Sequence, residues 1–310
     1  MRILLFGCTG FIGKSLIPRL IEEDHELCIV SRKDISQLKI NIPLKKITFL
    51  KLNLTKEKNW NNANLTNQLK NCEVIINLSG EPISDKRWSE EQKQEIENSR
   101  VFTTLFLMKS LRQNKITPKI IINASAIGFY GTSLNKEFDE TSSCGNDFLA
   151  NLCKKWEDAA SQKPFFTRLV IFRIGIVLGT NGGALGKMLP IFKIGLGGQI
   201  GDGNQWMSWI HIDDLCNLIT NAIKDKKYSG IFNAVAPEPI KMKEFTTVLA
   251  KSLKRPNLFP VPAATLKLIL GDGAKLVLEG QKIKSIRLKN NFYKFKYPLL
   301  QQAISSLTKK

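Results

Sequence analysis

The chain is poor in histidine, in acid and in long apolar runs. His25 and His211 are the only histidines among 310 residues, so a zinc site has little to draw on. None of the six cysteines (Cys8, Cys28, Cys72, Cys144, Cys153 and Cys216) forms a C-x-x-C pair, and most fall inside apolar segments. That pattern reads as reduced, buried thiols in a cytoplasmic protein, with no metal site expected. No apolar run approaches the roughly 20 residues a membrane span needs. The apolar start reads as a strand rather than a signal peptide. Acids number 27 against 46 Lys and Arg, a net charge of +19. Such a surplus raises nucleic-acid binding as a possibility. The lysines, however, are scattered from Lys33 to Lys310, with no aromatic-interleaved block and no helix-turn-helix, zinc-finger or RNP pattern. A lysine-rich surface with some phosphate-binding positions is the expectation, and the partner is expected to be a small molecule.

What the chain does have is alternation of strand-like and helix-like segments. Ile3–Phe6, Leu27–Ser31, Ile47–Leu52, Val74–Leu78, Ile120–Ile122 and Leu169–Ile174 read as strands. Helical patterns fall at 11–23, 89–113 and 147–161. Strands joined by crossover helices imply an α/β fold, a Rossmann-type doubly wound parallel sheet. Residues 179–203 are rich in glycine, which inside a domain points to function or mobility. A helix to about Lys224 follows, with Asp213 or Asp214 as its expected cap. Gly230–Ala234 is one more strand, and helical patterns recur near 242–254 and 263–279. The expected division is a dinucleotide-binding domain over 1–235 and a small lobe over 236–310 that closes the substrate side.

The first strand runs directly into Gly7-Cys8-Thr9-Gly10-Phe11-Ile12-Gly13. A G-x-x-G-x-x-G turn between a strand and a helix lets backbone N–H groups and the positive helix end face a diphosphate. The second strand ends 18 residues past Gly13, in Ser31-Arg32-Lys33. An NAD site usually places an acid there for the ribose 2′-hydroxyl. A guanidinium instead suits a 2′-phosphate, so NADP(H) is the expected cofactor. Asn53-Leu54 are placed to meet the adenine edge and Ser79-Gly80 to pass the adenosine ribose. Glu81 is a candidate base over the cofactor or a partner for Arg87, the alternative being a loop salt bridge. Tyr130 is either a substitute acid or a packing residue. Cys153 has no histidine beside it to make a thiolate. His211 reads as a satisfied core residue. Trp206, Trp209, Phe192, Met188 and Met207 are candidates to line an apolar substrate pocket.

Taken together, several stretches resemble the extended short-chain dehydrogenase/reductase superfamily, and within it the uncharacterised "epimerase family" branch. They are Asn77-Leu78-Ser79-Gly80-Glu81-Pro82-Ile83, Lys86-Arg87-Trp88, Ser125-Ala126-Ile127-Gly128-Phe129-Tyr130-Gly131, Cys153-Lys154-Lys155-Trp156-Glu157, Gly182–Pro190, Gly195–Gly198 and Trp209–Asp214. The resemblance runs from Met1 to about Ala303. It implies a Rossmann-type domain, a small C-terminal domain, NADP(H) binding, and an oxidoreductase or nucleotide-sugar-epimerase-like activity. It also implies that Ser125 holds a substrate carbonyl or hydroxyl, and that dimers form through the helices after the fourth and fifth strands. The superfamily's usual proton relay is a Tyr-x-x-x-Lys pair, and no tyrosine here has a lysine four residues on. Phe148 and Leu152 are the residues expected in the two key places. The readings that remain are an NADP-dependent oxidoreductase or epimerase-like enzyme, an NADPH-binding sensor or assembly protein without turnover, and a sugar-nucleotide binder using Lys187 or Arg255.

Overall fold

Seven parallel strands form the central sheet of the computed structural model, which describes residues 1–34, 36, 44–291 and 293–309. They are β1 (Arg2–Phe6), β2 (Glu26–Ser31), β3 (Ile47–Lys51), β4 (Val74–Asn77), β5 (Ile120–Ala126), β6 (Arg168–Ile174) and β7 (Gly230–Ala234). Their spatial order is β7-β6-β5-β4-β1-β2-β3. The order reverses at β1, and the crevice above its carboxyl end is where such sheets take ligands.

Helices cover both faces, which is why β1 and β4 are apolar nearly throughout. On one face α1 (Phe11–Glu22) and α7 (Ile212–Lys224) bury Leu16, Leu20, Leu215 and Ile219 against Ile3, Leu5 and Ile29. On the other, α2 (Ala63–Asn71), α4 (Thr103–Gln113) and α5 (Phe148–Ser161) cover Leu4, Phe6 and Ile75. A third cluster joins α6 (Gly183–Lys193) and Trp209 to α8 (Met242–Leu253) and the helix Leu300–Thr308. The late helices therefore pack on the glycine-rich region rather than on the sheet. Among the described residues no helix is long and apolar enough to cross a membrane.

Three expected elements differ. The helix expected over 89–113 is α3 (Glu90–Glu97) and α4, joined by a π-turn at Asn98–Phe102. The pattern at 263–279 is broken at Gly271, whose φ of +58° ends α9 (Ala263–Leu270) in a short 3-10 turn. The cap of α7 is His211, whose Nδ1 accepts from the Asp213 N–H at 3.0 Å. Asp213 instead pairs with Arg19 and Lys296, while buried Asp214 accepts the backbone N–H groups of Lys296 and Tyr297, tying the last segment to α7.

Candidate functional site

The glycine turn is fixed by close backbone packing. Gly7 has φ +72°, and a Cβ on it would lie 2.4 Å from the Leu78 carbonyl oxygen. A Cβ on Gly13 would lie 2.2 Å from the Cys8 carbonyl oxygen, so helix and strand approach as only glycine permits. Gly10, by contrast, is less crowded, a Cβ there meeting only the Gly7 carbonyl oxygen at an ordinary 3.6 Å. It caps α1 without any side-chain bond, and the first turn carries no acid. The N–H groups of Phe11, Ile12 and Gly13 are thus free of a capping side chain, the condition an anion needs. The Phe11 ring lies against Gly179, Gly182 and Gly183, and a Cβ on Gly182 would meet it at 2.9 Å. The glycine-rich segment therefore closes over the turn, which accounts for part of its composition.

At the end of β2, Ser31 Oγ accepts the Lys33 N–H at 3.1 Å and shares a hydrogen bond with Thr9 Oγ1 at 3.4 Å. Arg32 is half exposed, 52% at its side chain, and pairs with Glu81, which has swung across from the loop after β4. Arg32, not Arg87, is thus the partner of Glu81. Arg87 lies against Gly271, where a Cβ would stand 2.9 Å from its Nε. Asn53 spends its side-chain oxygen on Thr55, at 3.1 and 2.8 Å, and among the described residues its amide nitrogen has no partner. The Leu54 side chain is buried with Phe6 and Trp60, and its carbonyl accepts from the Trp60 indole, so only its backbone N–H remains. The Ser79 N–H donates to Asn77 Oδ1 at 3.2 Å. The space beside the Gly80 α-carbon holds the Arg100 guanidinium.

Ser125 and Tyr130 both enter one buried network. Ser125 Oγ donates to Glu157 Oε1 at 2.6 Å. Glu157 receives Arg173 Nε at 2.8 Å and Nη2 at 2.7 Å. Arg173 Nη1 donates to the Tyr130 hydroxyl at 2.9 Å, which donates onward to Asn233 Oδ1 at 2.7 Å. Arg173 also lies over the Phe129 ring, 3.4 Å from its centroid. Ser125 and Tyr130 are each 3% exposed. Burial pushes the Tyr130 phenol up to about 12 against the pull of Arg173, so it stays protonated near neutrality. Of the two readings for Tyr130, packing with a tied hydroxyl is the one the geometry fits. Ser125, expected to meet substrate, is held by Glu157.

The residues facing the end of β5 from α5 are Leu149 and Cys153, not Phe148 and Leu152. A Cβ on Gly128 would lie 3.3 Å from Leu149 Cβ and 4.0 Å from Cys153 Sγ. Phe148 turns away onto Trp88, with ring centroids 5.4 Å apart, and Leu152 packs in that same cluster. The helix face is shifted by one residue, yet neither facing residue is a tyrosine or a lysine. Burial raises the Cys153 thiol to about 12, so it stays protonated.

The residues expected to line an apolar pocket are mostly engaged in packing. Trp209, Phe192 and Met207 are core residues, and Trp206 is stacked under Lys241 at 3.8 Å. A cavity of about 710 Å³ opens instead beside α9, lined by Asp202, Ala263, Lys267, Asp272, Lys275 and Glu279 among others. Lys187 pairs with Asp85 and donates to Ser84 on the surface.

Sequence reasoning missed Glu157, Arg173, Asn233 and Arg100. Arg173 carried a signal, a charge near the end of a strand covered on both faces.

Residues 3–234 match the NAD dependent epimerase/dehydratase family, and residues 261–307 match a domain of unknown function (DUF1731). The human epimerase family protein SDR39U1 is 36% identical over 311 residues, covering 99% of each chain. Its Arabidopsis thaliana homolog, described as chloroplastic, is 38% identical over 99% of this chain and 86% of its own. The crystal structure of human SDR39U1 (isoform 2) with NADPH is similar at a TM-score of 0.87 and 35% identity, covering 99% of both chains. A UDP-glucuronic acid 4-epimerase from Bacillus cereus, solved with NAD, shares the fold at a TM-score of 0.77 and 17% identity. The chain belongs to the NAD dependent epimerase/dehydratase family, in the SDR39U1-like branch of the extended short-chain dehydrogenases/reductases.

Proposed function

We propose that the chain is an NADP(H)-dependent oxidoreductase of the epimerase type, acting on a small carbonyl or alcohol without a tyrosine acid. The observation that carries the cofactor is Arg32, a half-exposed guanidinium where β2 ends beside the glycine turn, with no acid at that strand end. The human relative solved with NADPH supports the same reading. The uncapped start of α1 would hold the diphosphate, Arg32 the 2′-phosphate, and the Asn53 amide and Leu54 N–H the adenine. When bound, the nicotinamide would supply the hydride. Residues 236–310 would close the substrate side, where the cavity beside α9 lies.

A second reading, cofactor binding without turnover, is favoured by one observation. Ser125 and Tyr130 are spent on a buried ion pair, and Leu149 and Cys153 face the β5 end. Calorimetry with NADPH and NADH tests the cofactor, and the proposal expects NADPH to bind more tightly. Stopped-flow absorbance of bound NADPH against a panel of small aldehydes and ketones tests turnover. Oxidation by any of them supports the enzyme, and tight binding with none supports the second reading.

A further inference from the structure

Arg100 stands in the π-turn between α3 and α4, a local irregularity that often marks a functional position. Its guanidinium fills the space beside Gly80, where a Cβ would lie 2.8 Å from Cζ and 2.9 Å from Nη2. Nη1 donates to the Ile96 carbonyl at 3.2 Å and reaches Ser99 Oγ at 3.5 Å. The Trp156 ring lies 5.5 Å from Cζ. Among the described residues Nε and Nη2 have no hydrogen-bond acceptor, and Arg100 has no carboxylate partner. Glu81, whose charge it feels, is paired with Arg32. Burial lowers the Arg100 pKa to about 10, which still leaves it a cation at neutral pH. Arg100 is half-buried, and its idle Nε and Nη2 still reach solvent, so a cation without a carboxylate stands with two donors open to a ligand that accepts from them.

The sheet order says which ligand atoms come near. Gly80 follows β4, which lies between β1 and β5, whereas Arg32 follows β2 on the other side of β1. A dinucleotide with its diphosphate behind β1 and its 2′-phosphate at Arg32 must lay its second nucleoside over the ends of β4 and β5. We propose that Arg100, through Nε and Nη2, holds the ribose hydroxyls of that second nucleoside. Its guanidinium thus provides a positive charge on the side of the crevice where α5 presents Leu149 and Cys153. The inference rests on the NADP(H) reading above.

The test compares two probes on the full chain, NADPH and adenosine 2′,5′-bisphosphate, which lacks the second nucleoside. Wild type should bind both. Arg100→Gln should weaken NADPH about tenfold or more and leave the bisphosphate unchanged, as expected for lost charge-assisted hydrogen bonds. Arg100→Lys, which keeps the charge within the same space, should recover part of the loss and serves if the glutamine variant does not fold. Equal affinities of wild type and both folded variants for NADPH overturn the role of Arg100 alone. So does an equal loss for both probes. Failure of wild type to bind either probe overturns the NADP(H) reading itself.

Discussion

Glu157 on α5 and Arg173 on β6 meet in a two-pronged ion pair, 2.8 and 2.7 Å long, with side chains only 7% and 4% exposed. Each prong is charge-assisted, and the remaining polar atoms are bound by Ser125 and Tyr130. Removing one partner would leave the other charged, buried and alone. Glu157→Ala is therefore expected to destabilise the fold by about 3–5 kcal/mol, read from urea unfolding. The double variant Glu157→Leu/Arg173→Met removes both charges and should cost less than either single change. A double variant as unstable as the sum of the singles would show that the pair is not the source of the effect.

Tyr130 hangs from the same pair. Its phenol is raised to about 12 by burial, above the usual tyrosine value of about 10. The unfolded chain therefore loses that proton first. The contribution is fully present below pH 10 and disappears as pH rises toward 12. Tyr130→Phe leaves Asn233 Oδ1 and one Arg173 donor without a partner, a loss of about 1–3 kcal/mol at neutral pH. Unfolding curves across the alkaline range should fall more steeply for wild type than for the variant. If turnover is found, its pH profile below 9 should be the same in both proteins.

The first part of this site was legible because it depends on neighbours in sequence. Gly7, Gly10 and Gly13 lie within one turn, and Arg32 is the residue after β2. The rest depends on how helices rotate and where loops land. A one-residue error on α5 turns the face by about 100°, and it is Trp88, drawing Phe148 outward, that selects Leu149 and Cys153. Glu81 could be placed after β4, but its reach across β1 to Arg32 follows from the course of the loop, which no local pattern encodes. Arg173 and Glu157 come from different elements, and only their crossing makes them a pair.

The Arg32–Glu81 contact makes a cofactor prediction with two opposite signs. Arg32→Ala should weaken NADPH by about 1.5–3 kcal/mol and leave NADH nearly unchanged, since only the 2′-phosphate loses its partner. Glu81→Gln removes the carboxylate that competes for the same guanidinium, and should strengthen NADPH relative to NADH. Calorimetric titration of both variants with both nucleotides reads the pair of effects. Equal losses for NADPH and NADH in Arg32→Ala would remove Arg32 from the 2′-phosphate.

His211 is expected to contribute to the acid limb of stability. The ring is 3% exposed, accepts the Asp213 N–H at Nδ1, reaches Ser306 Oγ at 3.2 Å through Nε2, and lies tilted against Tyr297 with ring centroids 4.0 Å apart. Burial lowers its pKa to about 4, helped by Lys296 and Arg19 and opposed by Asp213. The unfolded histidine takes a proton below about pH 6.5, while the folded one resists until about 4. Its contribution is thus complete above 6.5 and declines as pH falls through that window, by about 1.4 kcal/mol per pH unit at most. His211→Asn keeps an oxygen able to cap α7 and carries no titrating ring. Urea unfolding of the variant should be less stable than wild type at pH 7 and flatter between pH 6.5 and 4. A variant with the wild-type slope over that range would assign the acid limb to the carboxylates instead.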